Sequence, residues 1–189
     1  TIEILKARRP DIYDKNWLCC VCNNEKENFN HIWLCSQQRD ILKNIINNTI
    51  KQISTQMKQL NTNFNEAILR EKDYWQINQN NNQLNILDII KGLVPNDLVK
   101  TLLIYVNKEK KIQSILIEAL NTMNNLIRDQ IWKQHCSKTV EIELQFGINK
   151  RNKRKANNSN TINNNTINNN NINNNSINTD NNHSNKINK

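Results

Sequence analysis

Glycine and proline, the residues that let a backbone turn sharply, occur in this chain of 189 residues only as Gly92, Gly147, Pro10 and Pro95. Tight hairpins draw on glycine at their turns, so a chain this poor in it has little means of alternating strands with hairpins. Long helices, built from the abundant Leu, Ile, Asn and Lys, meet no such obstacle. The expected fold class is therefore mostly α. Apolar residues at Ile41, Leu42, Ile45, Ile46, Ile50, Ile53, Met57 and Leu60 keep close to a helical period and predict one long amphipathic helix from about Gln38. A second helix is expected from Asn63, where Glu66 three residues on would complete a capping box, as far as Tyr74 and Trp75. The Asn-rich stretch 78–82 breaks it, 84–90 resumes an apolar pattern stopped by Gly92 and Pro95, and Asn96 can cap the next helix. Over 112–131, Ile115, Leu116, Ala119, Leu120, Met123, Leu126 and Ile127 hold helical spacing for several turns. Residues 38–149 are thus expected to form a helical bundle with Ile45, Ile53, Leu116, Leu120, Met123 and Ile127 inside.

Ahead of the bundle, four of the five cysteines crowd into positions 19 to 35 beside a histidine. Cys19 and Cys22 form a C-x2-C pair, whose tight turn can aim two thiolates at one ion. His31 comes after eight residues and Cys35 after three more, one helical turn apart and on one face. Three sulfurs and one nitrogen suit Zn(II), at distances of about 2.3 Å and 2.1 Å. Four protein ligands close the coordination shell, which marks a structural rather than a catalytic site. Cys20 would bind only in a cramped C-x-C pairing and is expected to face away as a small apolar residue. Trp17, Phe29 and Trp33 surround the ligands, either as stacking platforms for bases or as the apolar core that a small metal module needs. An odd cysteine number clustered in this way fits metal binding in a reducing, intracellular compartment better than a disulfide framework. Residues 1–37 are read as a zinc hook.

The run TIEILKARRPDIYDKNWLCCVCNNEKENFNHIWLC over residues 1–35 resembles the zinc-binding region found downstream of reverse transcriptase in non-LTR retrotransposon proteins. Thr1, Leu5, Arg8 or Arg9, Cys19, Cys22, Glu27, His31, Ile32, Trp33 and Cys35 occupy the roles of that family's pattern. The common form places four residues between the histidine and the last cysteine, where this chain has three. Ile131, Trp132 and Cys136 are similar, more loosely, to the helix that often closes the region. The resemblance implies a C-terminal, non-catalytic segment of a retroelement-derived protein that helps hold RNA or DNA near a polymerase. The chain opens on Thr1 rather than Met, and a longer parent protein is accordingly expected.

Charge adds a second site. The net charge is +9, yet residues 1–149 carry 19 Lys and Arg against 16 Asp and Glu, a surplus of only three. Most of the remainder lies in Lys150, Arg151, Lys153, Arg154 and Lys155, which could grip phosphates, act as a nuclear import signal, or simply solvate the C-terminal tail. That tail has 18 Asn in residues 157–189, with Ile162, Ile167, Ile172 and Ile177 at every fifth place. Too little apolar surface is present there to offset the ordering entropy, so residues 150–189 are read as a basic run and a disordered tail. Paired aspartates of a polymerase and the spread carboxylates of a ribonuclease H are not recognisable, and His135 and Cys136 are neighbours on a helix that point about 100° apart. No enzyme activity is expected. Two alternatives to the nucleic-acid role stay open: a zinc-stapled protein-interaction module, and a decaying gene relic. No apolar run approaches the roughly 18 to 20 residues of a membrane span.

Overall fold

Thr1 caps the first helix, α1 (Ile2–Arg8), its hydroxyl accepting from the Ile4 N–H at 3.3 Å. The chain then turns through residues 9–28 without a regular element and enters α2 (Phe29–Leu34), where the Asn28 side chain accepts from the His31 N–H at 2.8 Å. After Cys35 come α3 (Arg39–Leu60), the short α4 (Ala67–Arg70) and a 3-10 turn at Asp73–Trp75. Next in order are α5 (Ile86–Ile90), α6 (Asn96–Tyr105) and α7 (Glu109–Ile127). A π-helical turn at Arg128–Trp132 leads into α8 (Lys133–Gln145), and α9 (Lys150–Arg154) ends the described chain. This computed structural model describes residues 1–77 and 84–154, and among these there is no strand. The predicted break at 78–82, Lys155 and the Asn-rich tail lie outside the described residues.

The mostly α expectation is met. α3 and α7 pack along each other, joined by α6 and by α2 at one end. Their apolar stripes supply the core: Ile45, Ile53, Leu116, Met123 and Ile127 are buried as expected, and Leu120 is partly so. Burying each such side chain stabilises by about 1.5–3 kcal/mol, which is why a helix as long as α3, with weak Asn-rich propensity, holds together.

The expected helix from Asn63 to Trp75 is instead a single turn of α4 and then the 3-10 turn. Asn63 caps nothing: the Asn61 side chain accepts from the Asn63 N–H at 2.9 Å, and Asn65 accepts from Ala67 at 3.0 Å. Successive Asn side chains bonded to the backbone two residues on hold the chain in turns. A true capping box sits at Asn85 and Asp88, ahead of α5. Asn96 is the first residue of α6, with Pro95 at the cap.

The rod made by α7, the π turn and α8 positions the site. Along it, Ile131, His135, Thr139 and Glu143 recur at every fourth residue. Ile131 enters the core, while His135 and Glu143 are buried with their polar ends toward the N-terminal hook. Residues Thr1–Arg154 accordingly form one compact unit.

Candidate metal centre

The C-x2-C segment bends back on itself through backbone bonds. The Asn23 N–H donates to the Cys19 carbonyl at 2.8 Å, and the Cys19 N–H donates to the Glu25 carbonyl at 2.8 Å. Asn23 closes the turn at φ +50°, a left-handed conformation that asparagine tolerates better than most side chains. α2 brings His31 to the same place, and the turn after it brings Cys35.

The ligand atoms of Cys19, Cys22, His31 and Cys35 all lie within 4.8 Å of one another. Cys22 Sγ and His31 Nε2 are 3.4 Å apart, close to the roughly 3.6 Å that one sulfur and one nitrogen span on a tetrahedral zinc ion. His31 turns its other ring nitrogen, Nδ1, toward Glu25 Oε2 at 3.3 Å. A carboxylate behind a ligating histidine fixes the ring and its tautomer, as histidine ligands of metals require. Cys19, His31 and Cys35 are buried, and Cys22 is half-buried.

The surroundings push two of the three ligand thiols in opposite directions. Hydrogen bonding from Cys20 and from the backbone N–H groups of Cys22 and Val21 holds Cys19 down at about 4, against the opposing effect of burial. Burial pushes Cys35 up to about 12, and the neighbouring sulfurs of Cys19 and Cys22 add to the rise. A divalent ion placed among the four side chains would let the sulfurs ionise together, because its charge offsets the cost of burying several thiolates. The donor set and its spacing are compatible with a divalent zinc ion.

Cys20 takes no part in the four-ligand set, as the spacing implied, but it is not apolar in its surroundings. Its Sγ lies 3.6 Å from Glu27 Oε2 and 3.7 Å from the His135 carbonyl, and it accepts from the Thr139 hydroxyl at 3.5 Å. Cys20, Glu27 and His135 also come within 4.8 Å of one another. Glu27 Oε2 and His135 Nε2, however, stand at the 2.7 Å of a hydrogen bond rather than the roughly 3.3 Å of two ligands on one zinc. Glu27 is fully buried, and also accepts from the Ile2 N–H at 2.8 Å and the Cys20 N–H at 3.4 Å. Burial alone would raise it; the bonds from His135, Ile2 and Cys20 overcome that and hold the carboxylate at about 2. The group thus joins α1, the cysteine turn and α8 in one network. His135, 108 residues from Glu27, had no local signal beyond its place on a helix.

A second buried carboxylate repeats this device. Glu143 accepts from the Tyr13 hydroxyl at 2.7 Å and pairs with Lys153. That contact ties α9 to α8 beside the hook, where the Arg9 guanidinium donates to the carbonyls of Lys153 at 2.9 Å and Asn152 at 3.3 Å while pairing with Asp11. Of the basic run, Lys150, Arg151 and Arg154 are exposed and make no ion pair among the described residues, Lys153 is engaged by Glu143, and Lys155 lies outside them. Cys136 is exposed and turned away from buried His135. Phe29 and Trp33 meet edge to face at 5.9 Å, and Trp132 stacks on Trp33 at 6.4 Å, which makes this part of the aromatic set packing for the hook. No helix among the described residues is long and apolar enough to cross a membrane. No protein-family model, curated protein or solved structure matches this chain.

Proposed function

We propose that this chain is a non-catalytic module that holds nucleic acid, its N-terminal hook fixed by one structural zinc ion. The closed set of Cys19, Cys22, His31 and Cys35 carries the proposal: four protein ligands within 4.8 Å leave a tetrahedral ion no position for water or substrate. A zinc ion bound there would supply cross-linking and charge neutralisation. The rest of the work belongs to the chain's own side chains, with Glu27 and Glu143 fastening the hook to α8. The resemblance of residues 1–35 to the zinc-binding region of non-LTR retrotransposon proteins supports a retroelement origin and RNA or DNA as the partner. So do the free cations of α9. Nuclear location accords with the same basic run.

Metal analysis of the chain purified without chelator should return one zinc per molecule. Binding to RNA or DNA should weaken steeply with salt, because each neutralised phosphate releases a counterion, and replacing Lys150, Arg151 and Arg154 together by Gln should remove most of it. A hook that keeps its full stability without metal, or a chain that binds nucleic acid equally well without those cations, contradicts the proposal. The alternative of a protein-interaction module is favoured by Val140 and Leu144, which stand one turn apart and exposed on α8.

A further inference from the structure

The two arginines at the end of α1 and the basic helix at the far end of the unit are separate in sequence and adjacent in space. Arg9 bonds the backbone of Asn152 and Lys153 directly, so the end of α1, with exposed Arg8 next to Arg9 in the chain, lies against α9 and its exposed Lys150, Arg151 and Arg154. Among the described residues, Asp11 pairs with Arg9 there and buried Glu143 with Lys153. Arg8 and the three free cations of α9 remain unmatched there among the described residues.

The same place carries an exposed aromatic ring with a rigid backing. Phe146, the C-cap residue just past α8, is 64% exposed. Its ring packs at 4.8 Å on half-buried Trp17, which in turn meets buried Tyr13 edge to face at 5.7 Å. Gly147, at φ +69°, then turns the chain so that Ile148 is buried, and α9 begins at Lys150. An exposed ring backed by Trp17, four residues before a helix with unpaired cations, is the arrangement that single strands use: phosphates on the cations and an unstacked base on the ring. Duplex bases are already stacked and offer the ring nothing.

Resting on the nucleic-acid reading above, we propose that Phe146, backed by Trp17, is a base-stacking platform, and that with Arg8 and the cations of α9 it forms a surface for single-stranded RNA or DNA. Charge complementarity selects this occupant over a protein, whose typical surface has no reason to prefer several unpaired cations around one ring.

The test uses the full zinc-loaded chain and three fluorescent probes: an oligodeoxythymidylate of about twelve nucleotides, the matching oligouridylate, and a mixed-sequence duplex of the same length. The single strands should bind more tightly than the duplex. Phe146→Ala should weaken single-strand binding roughly tenfold without changing the salt slope or duplex affinity, while Phe146→Tyr restores it. Replacing Lys150, Arg151 and Arg154 by Gln should reduce the salt slope by about two in magnitude. Unchanged single-strand affinity in Phe146→Ala, or equal affinity of wild type for strand and duplex, overturns the platform; loss of binding in the triple Gln variant would then leave the broader reading intact. Failure of the wild type to bind any of the probes overturns both the platform and the nucleic-acid reading.

Discussion

Glu27 shows how one side chain can bind three parts of a fold. Its carboxylate faces the start of α1, the Cys20 amide and the His135 ring, with no exposure to water. A buried charge this well bonded is worth keeping only while every partner stays, and removing it leaves donors unsatisfied at about 1–3 kcal/mol. Glu27→Gln should therefore lower the urea midpoint at neutral pH. The effect has a defined pH window. Because the folded value of about 2 lies below the ordinary 4.5, the carboxylate's contribution is complete above 4.5 and lost as pH falls toward 2. The difference between wild type and Glu27→Gln, tracked by urea titration at successive pH values, should shrink through that window; a difference that stays constant would mean the charge is not what matters. Among the thiols, Cys22→Ser should abolish zinc uptake measured by metal analysis, whereas Cys20→Ser, outside the four-ligand set, should keep the metal.

The helices divide into those whose sequence announced them and those that tertiary contacts decide. α3 and α7 repeat their apolar residues over many turns, and the long stripe outweighs any single unfavourable residue. The stretch 63–75 has no such stripe, and its asparagines offer several equivalent bonds to the backbone, so the position of a cap could not be chosen from spacing alone. The same limit applies to the site. Its four ligands lie close together in the chain and declare themselves by local spacing, but the pairs Glu27–His135 and Tyr13–Glu143 link positions 108 and 130 apart and depend on how the rod of α7 and α8 is phased. His135, Thr139 and Glu143 resemble a solvated face until the hook is laid against them. Asn85→Ala should cost about 1 kcal/mol in chemical denaturation, since it removes the side-chain acceptor of a real capping box, whereas Asn63→Ala should cost distinctly less. Equal costs would place the helix start where the sequence first suggested it.

At the scale of the whole unit, the hook is an irregular segment held to a helical bundle by a few buried polar bonds, and those bonds set what zinc removal does. Residues 9–28 contain no regular element, so their shape depends on side chains: the metal ligands, Glu27, and Tyr13 on Glu143. If the hook holds zinc as proposed, removing the ion takes away the charge that draws the four side chains together, and burial then favours the neutral Cys35 thiol. The turn from Cys19 to Asn23 then loses its constraint, which loosens Glu27 from its partners on α1 and α8 and Tyr13 from Glu143. α3 and α7 have their own apolar interface and retain it. The loss is therefore unequal across the unit: chelation should lower the stability of the hook and α8 by several kcal/mol, a part of the roughly 10–16 kcal/mol that structural zinc contributes in small modules, while α3 and α7 still unfold late. Trp17 lies in the hook and Trp75 belongs to the core cluster that α3 and α7 build, which makes the difference measurable with single-tryptophan variants that keep one or the other. With zinc, both reporters should trace one urea transition together with far-ultraviolet circular dichroism. After chelation the Trp17 transition should move to lower urea well ahead of Trp75, and returning zinc should bring the two together again. Coincident transitions in the metal-free chain, at the midpoint of the zinc-bound one, would show that the buried carboxylates alone hold the hook in place.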